Sequence, residues 1–302
     1  MKALVLVLTS IFFAPVASSA QPLASKKIKV LSWNIYMLPG FLGTGKLSRA
    51  EAIGRLLAVS DYDVIVFQEA FHGNSRNLIS RLLQPVFPFQ AGPANQKPLS
   101  LKTNSGIWIL SKYPIERTQS LVFKTRHGVD ALSRKGALLV EINIHGQLIQ
   151  VIGTHLQNSG SEWRRYSQCV ELYNRLLMPQ ERLAVPQIIC GDFNIDRYRS
   201  SEGYQYMLKV MNASDGRHVG TNAFSYDRVG NDMTTEAGSG QDLIDYILFR
   251  QADGSGAAGE RRIRVIRHPW KRSHRDLSDH FALEAEISMD GKISPLVATA
   301  IK

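Results

Sequence analysis

The chain has 302 residues, a formal charge of +10 and a pI near 9.6, a balance that favours anionic partners such as nucleic acid or phospholipid headgroups without choosing between them. Its two cysteines, Cys169 and Cys190, exclude a disulfide-stapled mini-fold, so the fold must rest on a buried core. The composition is that of a globular protein, with no fixed-period repeat or extended low-complexity tract, and the length suits one large α/β domain or two small ones.

The first element is a leader. Met1-Lys2 precedes an apolar run from Ala3 to Ala17, broken by Thr9, Ser10 and Pro15, and small residues follow at Ser18 and Ala20. This is the pattern of a secretory signal peptide cleaved after Ala20, which sends the mature chain out of the cytoplasm. Nothing later approaches the roughly 18 unbroken apolar residues of a spanning helix.

Apolar, β-branched runs then predict strands over 28–33, 64–67, 106–110, 137–144, 148–153, 187–190, 243–249 and 281–287. Helical periodicity over 48–59, 74–83, 162–178 and 202–211 falls between them, with Ser48 and Glu51 set as a capping box for the first helix. Alternation implies sheets covered by helices, while His145-Gly146-Gln147 between two strands reads as a hairpin, so the sheets are mixed. Glycine-rich stretches at 236–240 and 253–259 read as surface loops. Cys169 falls in a helix and Cys190 ends a strand, which leaves both a bridge and two buried free thiols open.

The polar residues of interest terminate strands. Asn34, Glu69, His155 and Asp192 each follow an apolar run, where open α/β sheets place ligand crevices. Glu69 suits a hard cation, which takes one or two carboxylates plus water and phosphate oxygens. The plainer alternative is a charge at a helix N-terminus. Asp192 and Asn194 lie on one side of an extended Gly191-Asp192-Phe193-Asn194 segment, able to orient water and contact phosphate, though turns use the same residues. His280 in Ser278-Asp279-His280 has a carboxylate beside it, and Asp245 is a second group able to orient it. The histidines at 72, 127, 145, 218, 268 and 274 lack such settings and read as surface or structural residues. Cys/His zinc spacing and a Gly-x-Ser-x-Gly elbow are both missing.

Read in order, Trp33-Asn34-Ile35, Gln68-Glu69, Gly153-Thr154-His155-Leu156, Gly191-Asp192-Phe193-Asn194, Asp245-Tyr246-Ile247-Leu248 and Ser278-Asp279-His280 resemble the motif set of the endonuclease/exonuclease/phosphatase family. The resemblance covers nearly the whole mature chain. It implies a single catalytic domain over 21–302, an α/β four-layer sandwich with two packed mixed β-sheets flanked by helices. It further implies that Glu69 with Asn34 holds a catalytic Mg2+, for which Mn2+ or Co2+ can substitute. Asp192 and Asn194 would bind the attacking water and the phosphate, and His155 would stabilise the pentavalent phosphorus and leaving oxygen. His280 would act as general base oriented by Asp245, and Asp279 would complete the catalytic and metal site.

Asn34-Ile35-Tyr36-Met37-Leu38-Pro39, Thr154-His155-Leu156-Gln157 and Lys135-Gly136 resemble segments of the family's neutral sphingomyelinases. This implies a membrane phospholipid substrate, sphingomyelin, and peripheral membrane contact. A secreted endonuclease of the same family, or a phospholipase C acting on another phospholipid, is the alternative. The chain departs from secreted bacterial sphingomyelinases where they carry an aromatic hairpin. Here stand a glycine-rich loop, the cation-rich stretch 261–275 and Trp270 alone. Apolar docking then falls to Met37, Leu38, Phe41 and Leu42, unless they are core, and the cations at 261–275 read as either a membrane-facing patch or a solvated surface.

Overall fold

The computed structural model describes residues 27–288 except 41, 101, 184, 235–239 and 252–258 and the side chain of 129. The leader with its cleavage point, Phe41 and most of the two glycine-rich stretches therefore lie outside the described residues. The first half runs β1 (Lys27–Met37), α1 (Lys46–Ala58), β2 (Val64–Ala70), α2 (Gly73–Leu83), β3 (Phe89–Ala91), β4 (Trp108–Ser111), β5 (Ile115–Val122), β6 (Gly136–Ile144) and β7 (Gln147–His155). It continues through α3 (Glu162–Leu172), β8 (Gln187–Asp192), α4 (Ser201–Met211), β9 (Ser214–Asp215), β10 (Arg217–His218), β11 (Tyr226–Asp227) and β12 (Gln241–Asp242). It ends with β13 (Asp245–Arg250), β14 (Glu260–Arg264), β15 (Arg267–Lys271), β16 (His274–Asp276) and β17 (Ala282–Ser288).

Two large mixed sheets result. One has the order β10-β14-β17-β1-β2-β4-β3 and the other β5-β6-β7-β8-β13-β9. Parallel β1–β2 and β7–β8 pairs sit among antiparallel neighbours. The β6–β7 hairpin turns on His145 and Gly146, both at positive φ (51° and 92°), as a two-residue turn matched to strand twist requires.

The apolar runs carry both faces of the first sheet. In β2, Val64 and Val66 point into the core between the sheets, whereas Ile65 and Phe67 point to the layer beneath α1 and α2 with Ile53, Leu57, Ile79 and Leu83. A strand buried on both faces loses polar alternation. Cys169, Leu172, Met207 and Met211 of α3 and α4 cover the second sheet. Helices thus lie outside two packed sheets, the expected four layers.

Several local expectations are corrected. α1 begins at Lys46 after Gly45, which has φ 58° and provides no side-chain cap; Glu51 pairs with Arg55 instead of closing a capping box with Ser48. The reason lies at Gly45, where a Cβ would come within 1.9 Å of the Trp270 ring. The helix predicted over 162–178 is α-helical to Leu172, then widens into a π turn over Tyr173–Leu177 and tightens into a 3-10 turn over Met178–Gln180. Cys169 and Cys190 are buried and free, so the bridge is not formed.

The cation-rich stretch is also not a bare patch. β14 alternates exposed and buried positions, and its inward residue is Arg261, 1 % exposed, which holds Asp215 through Nε at 2.6 Å and Nη2 at 2.8 Å. Arg262 and Arg264 pair with Glu284, and Arg267 pairs with Asp276. β15 and β16 form a hairpin of their own, with Trp270 turned against Gly45 and within 5.9 Å of Arg49. Met37 is fully buried, so of the proposed apolar contacts Leu42, 50 % exposed, is the accessible one among the described residues, with Leu38 half-buried. Arg261→Ala should therefore lower unfolding stability by about 1.5–3 kcal/mol, since Asp215 loses its two-pronged partner but keeps Arg197 at 3.0 Å and Tyr204 at 2.8 Å, while Arg262→Ala changes it by less than about 1 kcal/mol. Urea denaturation midpoints of the two variants check this; equal losses would reject the buried-pair assignment.

Candidate active site

The polar strand ends meet at one edge of the sandwich. The parallel register of β7 and β8 sets His155 beside Asp192, and the antiparallel register of β8 and β13 sets Asp245 on its other side. Three functional groups therefore stand in a row across the second sheet. From the first sheet, β1 contributes Asn34, the end of β2 contributes Glu69, and the turn before β17 contributes Asp279 and His280. Every residue expected at the site is drawn into this one place.

Backbone geometry turns these side chains inward. Tyr36, Glu69 and Asn194 have φ of 49°, 54° and 52°, a left-handed conformation that costs a residue with a Cβ about 1–2 kcal/mol. Gly106 makes the turn at Glu69 feasible: its carbonyl accepts the Ala70 amide at 2.9 Å, and a Cβ at this position would sit 3.1 Å from the Glu69 Cα. Hydrogen bonds secure the last motif to β1. Trp33 Nε1 donates to the His280 carbonyl at 2.9 Å, and Ser278 Oγ donates to the Asn34 carbonyl at 2.6 Å.

Asp192 is the hub. Its Oδ2 receives Asn34 Nδ2 at 3.2 Å and lies 3.5 Å from His155 Nε2 and 3.7 Å from His280 Nε2, while Oδ1 accepts the Asn194 amide at 3.0 Å. His280 Nδ1 lies 2.8 Å from Asp245 Oδ2, a pairing that places the N–H on Nδ1 and leaves Nε2 facing Asp192. Glu69 Oε1 is 4.0 Å from His155 Nδ1. Glu69 Oε2 and His155 Nδ1 are both buried without a hydrogen-bond partner.

Crowding of charge sets the titration of the cluster. Burial raises the Glu69 carboxyl, against the pull of Lys135 and His280. Burial and then Asp245 push Asp192 up to about 7, and burial pushes Asp279 up to about 6. The histidines diverge. Burial opposes the charge on His280, but Asp245, Asp192 and Asp279 together outweigh it and hold the group well above the ordinary histidine range. Burial, Lys135 and His280 hold His155 well below that range.

The donor set suits a divalent cation. Ligand atoms of Asp192, Asp245 and His280 lie within 4.8 Å of one another, but the Nδ1 of His280 is engaged by Asp245. The unpaired Glu69 oxygen, near Asn34 and the raised Asp279 carboxyl, is the group that a hard cation would complete.

Glu69, His155, Asp192, Asn194, Asp279 and His280 line a cavity of about 370 Å³, with Asn34 and Asp245 bonded behind them. Sequence reading did not single out the rest of its wall, which includes Tyr36, Asn158, Arg165, Arg199, Tyr226, Arg228 and Asp242. Tyr36 was quoted only within a longer motif. The others, on α3, the short strands β11 and β12 and the loops between elements, are lone polar residues with no spacing to mark them. Lys135, quoted with Gly136 for its resemblance alone, is buried and donates to the Leu156 carbonyl at 2.8 Å while pairing with Asp130 at 3.1 Å. The six remaining histidines are absent from the cavity wall; His72, for one, caps α2 by accepting the Ser75 amide.

Comparison with known proteins agrees with this arrangement. The sequence pattern of the endonuclease/exonuclease/phosphatase family matches residues 31–280. A sphingomyelinase C 2 of Leptospira interrogans is 30 % identical over 251 residues, covering 75 % of this chain and 40 % of that protein; the chain thus spans less than half the length of that relative. A sphingomyelinase C of Bacillus cereus is 28 % identical over 311 residues, covering 90 % and 93 % of the two chains. The crystal structure of a Staphylococcus aureus beta toxin superposes with a TM-score of 0.79 at 25 % identity, covering 85 % of this chain and 99 % of the toxin. With the family pattern running from β1 to His280, the chain belongs to the endonuclease/exonuclease/phosphatase family.

Proposed function

We propose that the protein is a secreted, divalent-cation-dependent phosphodiesterase that hydrolyses sphingomyelin to ceramide and phosphocholine, acting as one catalytic domain over 21–302 once a leader ending at Ala20 is removed. The observation that carries the chemistry is the His280–Asp245 pair facing Asp192 and His155, beside an unpaired Glu69 oxygen. The near-full-length likeness to the Bacillus cereus sphingomyelinase C supports the substrate. Among the described residues no helix is long and apolar enough to cross a membrane.

In this reading Glu69 and Asn34, with Asp279, hold magnesium, or manganese or cobalt in its place. When bound, the cation neutralises non-bridging phosphate oxygens. Asp192 and Asn194 hold the attacking water and the phosphate. His280 takes the water proton through Nε2, its tautomer set by Asp245 at Nδ1. The water oxygen bonds to phosphorus as the bond to the ceramide oxygen breaks; His155, kept neutral, hydrogen-bonds the departing oxygen, which takes a proton from solvent to leave as the ceramide hydroxyl while His280 returns its proton to solvent. A nuclease, or a phospholipase C of different headgroup preference, would use the same groups, so a panel of sphingomyelin, phosphatidylcholine and plasmid DNA separates the readings. Sphingomyelin turnover that stops in chelator and returns with magnesium is the expected result; DNA nicking without lipid cleavage would sink the substrate.

Three further outcomes are expected. Glu69→Gln should abolish turnover yet, in chelator, be at least as stable as the wild type, because it removes a crowded buried carboxyl. A clear fall in melting temperature would argue against a strained, unpaired Glu69. His280→Ala should lower kcat by several orders of magnitude while exposed His268→Ala leaves it unchanged; equal effects would overturn the base assignment. In chelator, stability should fall as pH rises from about 6.5 to about 8. Across this window the folded state still carries protons on Asp192, raised to about 7, and on His280, raised above its ordinary range, whereas the unfolded chain has released them. Magnesium should flatten the slope, and a melting temperature constant across the window in chelator would contradict the charge crowding.

A further inference from the structure

Of the seven cations at 261–275, Arg261, Arg262, Arg264 and Arg267 pair with carboxylates, and a surface that is both apolar and cationic lies elsewhere. It is built from three loops joined to one another. Thr103 N donates to the Leu132 carbonyl at 3.1 Å and Arg134 Nη2 to Ser100 Oγ at 3.0 Å, tying the loop around Leu99 to the 3-10 turn Gly128–Leu132. Asn158 N donates to Asp130 Oδ2 at 2.9 Å and Gln157 Nε2 to the His127 carbonyl at 2.8 Å, tying that turn to the loop that follows His155. Asn158 itself lines the catalytic cavity, so this platform is continuous with the cavity's rim.

The platform presents large apolar groups to water. Leu99 is fully exposed, and Leu132 and Trp163 are 65 % and 67 % exposed. One such residue on a soluble surface is ordinary. Leu99 and Leu132 on the bonded loops, with Trp163 in the first turn of α3 that follows the third loop, form a patch beside the active-site opening. Cations rim it: Lys97, Lys102 and Lys124 are exposed, and none pairs with a carboxylate among the described residues. The acids of these segments are occupied, Asp130 by Lys135 and Asn158, and Glu162 by Tyr166. An apolar centre containing Trp with a lysine rim matches the interfacial zone of an anionic bilayer.

We propose that Leu99, Leu132 and Trp163, rimmed by Lys97, Lys102 and Lys124, are the face on which the protein seats itself on an anionic phospholipid bilayer. The orientation toward lipid rests on the phosphodiesterase reading above, but docking itself is measured without turnover. The experiment sediments wild type and variants with phosphatidylcholine vesicles, with and without phosphatidylserine, in chelator. In parallel, turnover of soluble bis(4-nitrophenyl) phosphate is followed with magnesium, and urea midpoints confirm folding. The Leu132→Ser/Trp163→Ala variant should lose vesicle partitioning by about tenfold or more while keeping soluble turnover. Lys97→Glu/Lys102→Glu should lose it on phosphatidylserine vesicles, and salt should weaken the wild type in the same way. Val59→Ser, 85 % exposed at the opposite end of the sheet, should change nothing. Unchanged partitioning of the apolar variant, equal loss in Val59→Ser, loss of soluble turnover, or binding of plasmid DNA in place of vesicles would each overturn the proposal. Intact partitioning without sphingomyelin cleavage would instead sink the substrate and leave the docking face standing.

Discussion

A single buried carboxylate, Asp192, organises this molecule. One of its oxygens faces Asn34, His155 and His280 within 3.7 Å, and the other caps the turn into Asn194. A carboxylate 2 % exposed is tolerated only if its lone pairs are met by donors. Those donors come from both sheets. β1 and the turn before β17 belong to the first, β7 to the second, so the sheets must converge at this edge. The sandwich core beneath, from Val30 and Val66 to Ile152 and Ile189, holds that convergence and lets polar groups occupy the last turn of each strand.

The strain at the edge has the same origin. A β-strand alternates its side chains, so successive strand ends would direct only some of the groups to one point. Left-handed backbone at Tyr36, Glu69 and Asn194 breaks the alternation where it matters. Such conformations persist only where the surroundings over-determine them. Here Arg49 does part of that, fully buried under α1, donating from Nη1 to the Ile35 and Leu277 carbonyls and from Nη2 to the Tyr36 carbonyl. One guanidinium thus fastens the end of β1 to the Ser278-Asp279-His280 turn. Its stacking partner Trp270 comes from the β15–β16 hairpin, which connects that hairpin to the site from behind.

The sequence made the edge legible because each strand there is a run of buried apolar residues stopped by one polar group, and because the order of the motifs resembles a known family. It hid what depends on distant partners. Arg261 looks like one cation among many, and only Asp215, forty-six residues away, turns it into a core residue. β14 is therefore a period-two strand whose inward positions include a guanidinium, a pattern that a search for apolar alternation passes over. Ser48 carries a capping signature that loses to the contact between Gly45 and Trp270. Met37 reads as a loop residue, yet the pairing of β1 with β2 continues through a register shift to Met37 and Ala70, and the side chain follows it into the core.

The opposite protonation of the two histidines follows from their neighbours, not from their depth, since both are buried. His280 has Asp245 at hydrogen-bond distance on one nitrogen and Asp192 on the other, so two carboxylates share its proton. His155 faces Asp192 too, but Lys135 and the charged His280 press on it, and its Nδ1 has no acceptor. One imidazole is therefore loaded and the other empty across a single carboxylate. Environments that drive paired titratable groups apart are how a site separates acid and base tasks. For His280 to accept a proton from water, the proton that the surrounding carboxylates hold on it must first be released. Glu69, Asp192 and Asp279 all titrate above their ordinary range because burial disfavours their charged forms. Positive charge placed against the Glu69 oxygen would favour the ionised form of all three and, by its own repulsion, oppose the proton on His280, freeing Nε2 to act as a base. The same buried crowding that makes the empty site electrostatically costly is what couples cation loading to the readiness of the base.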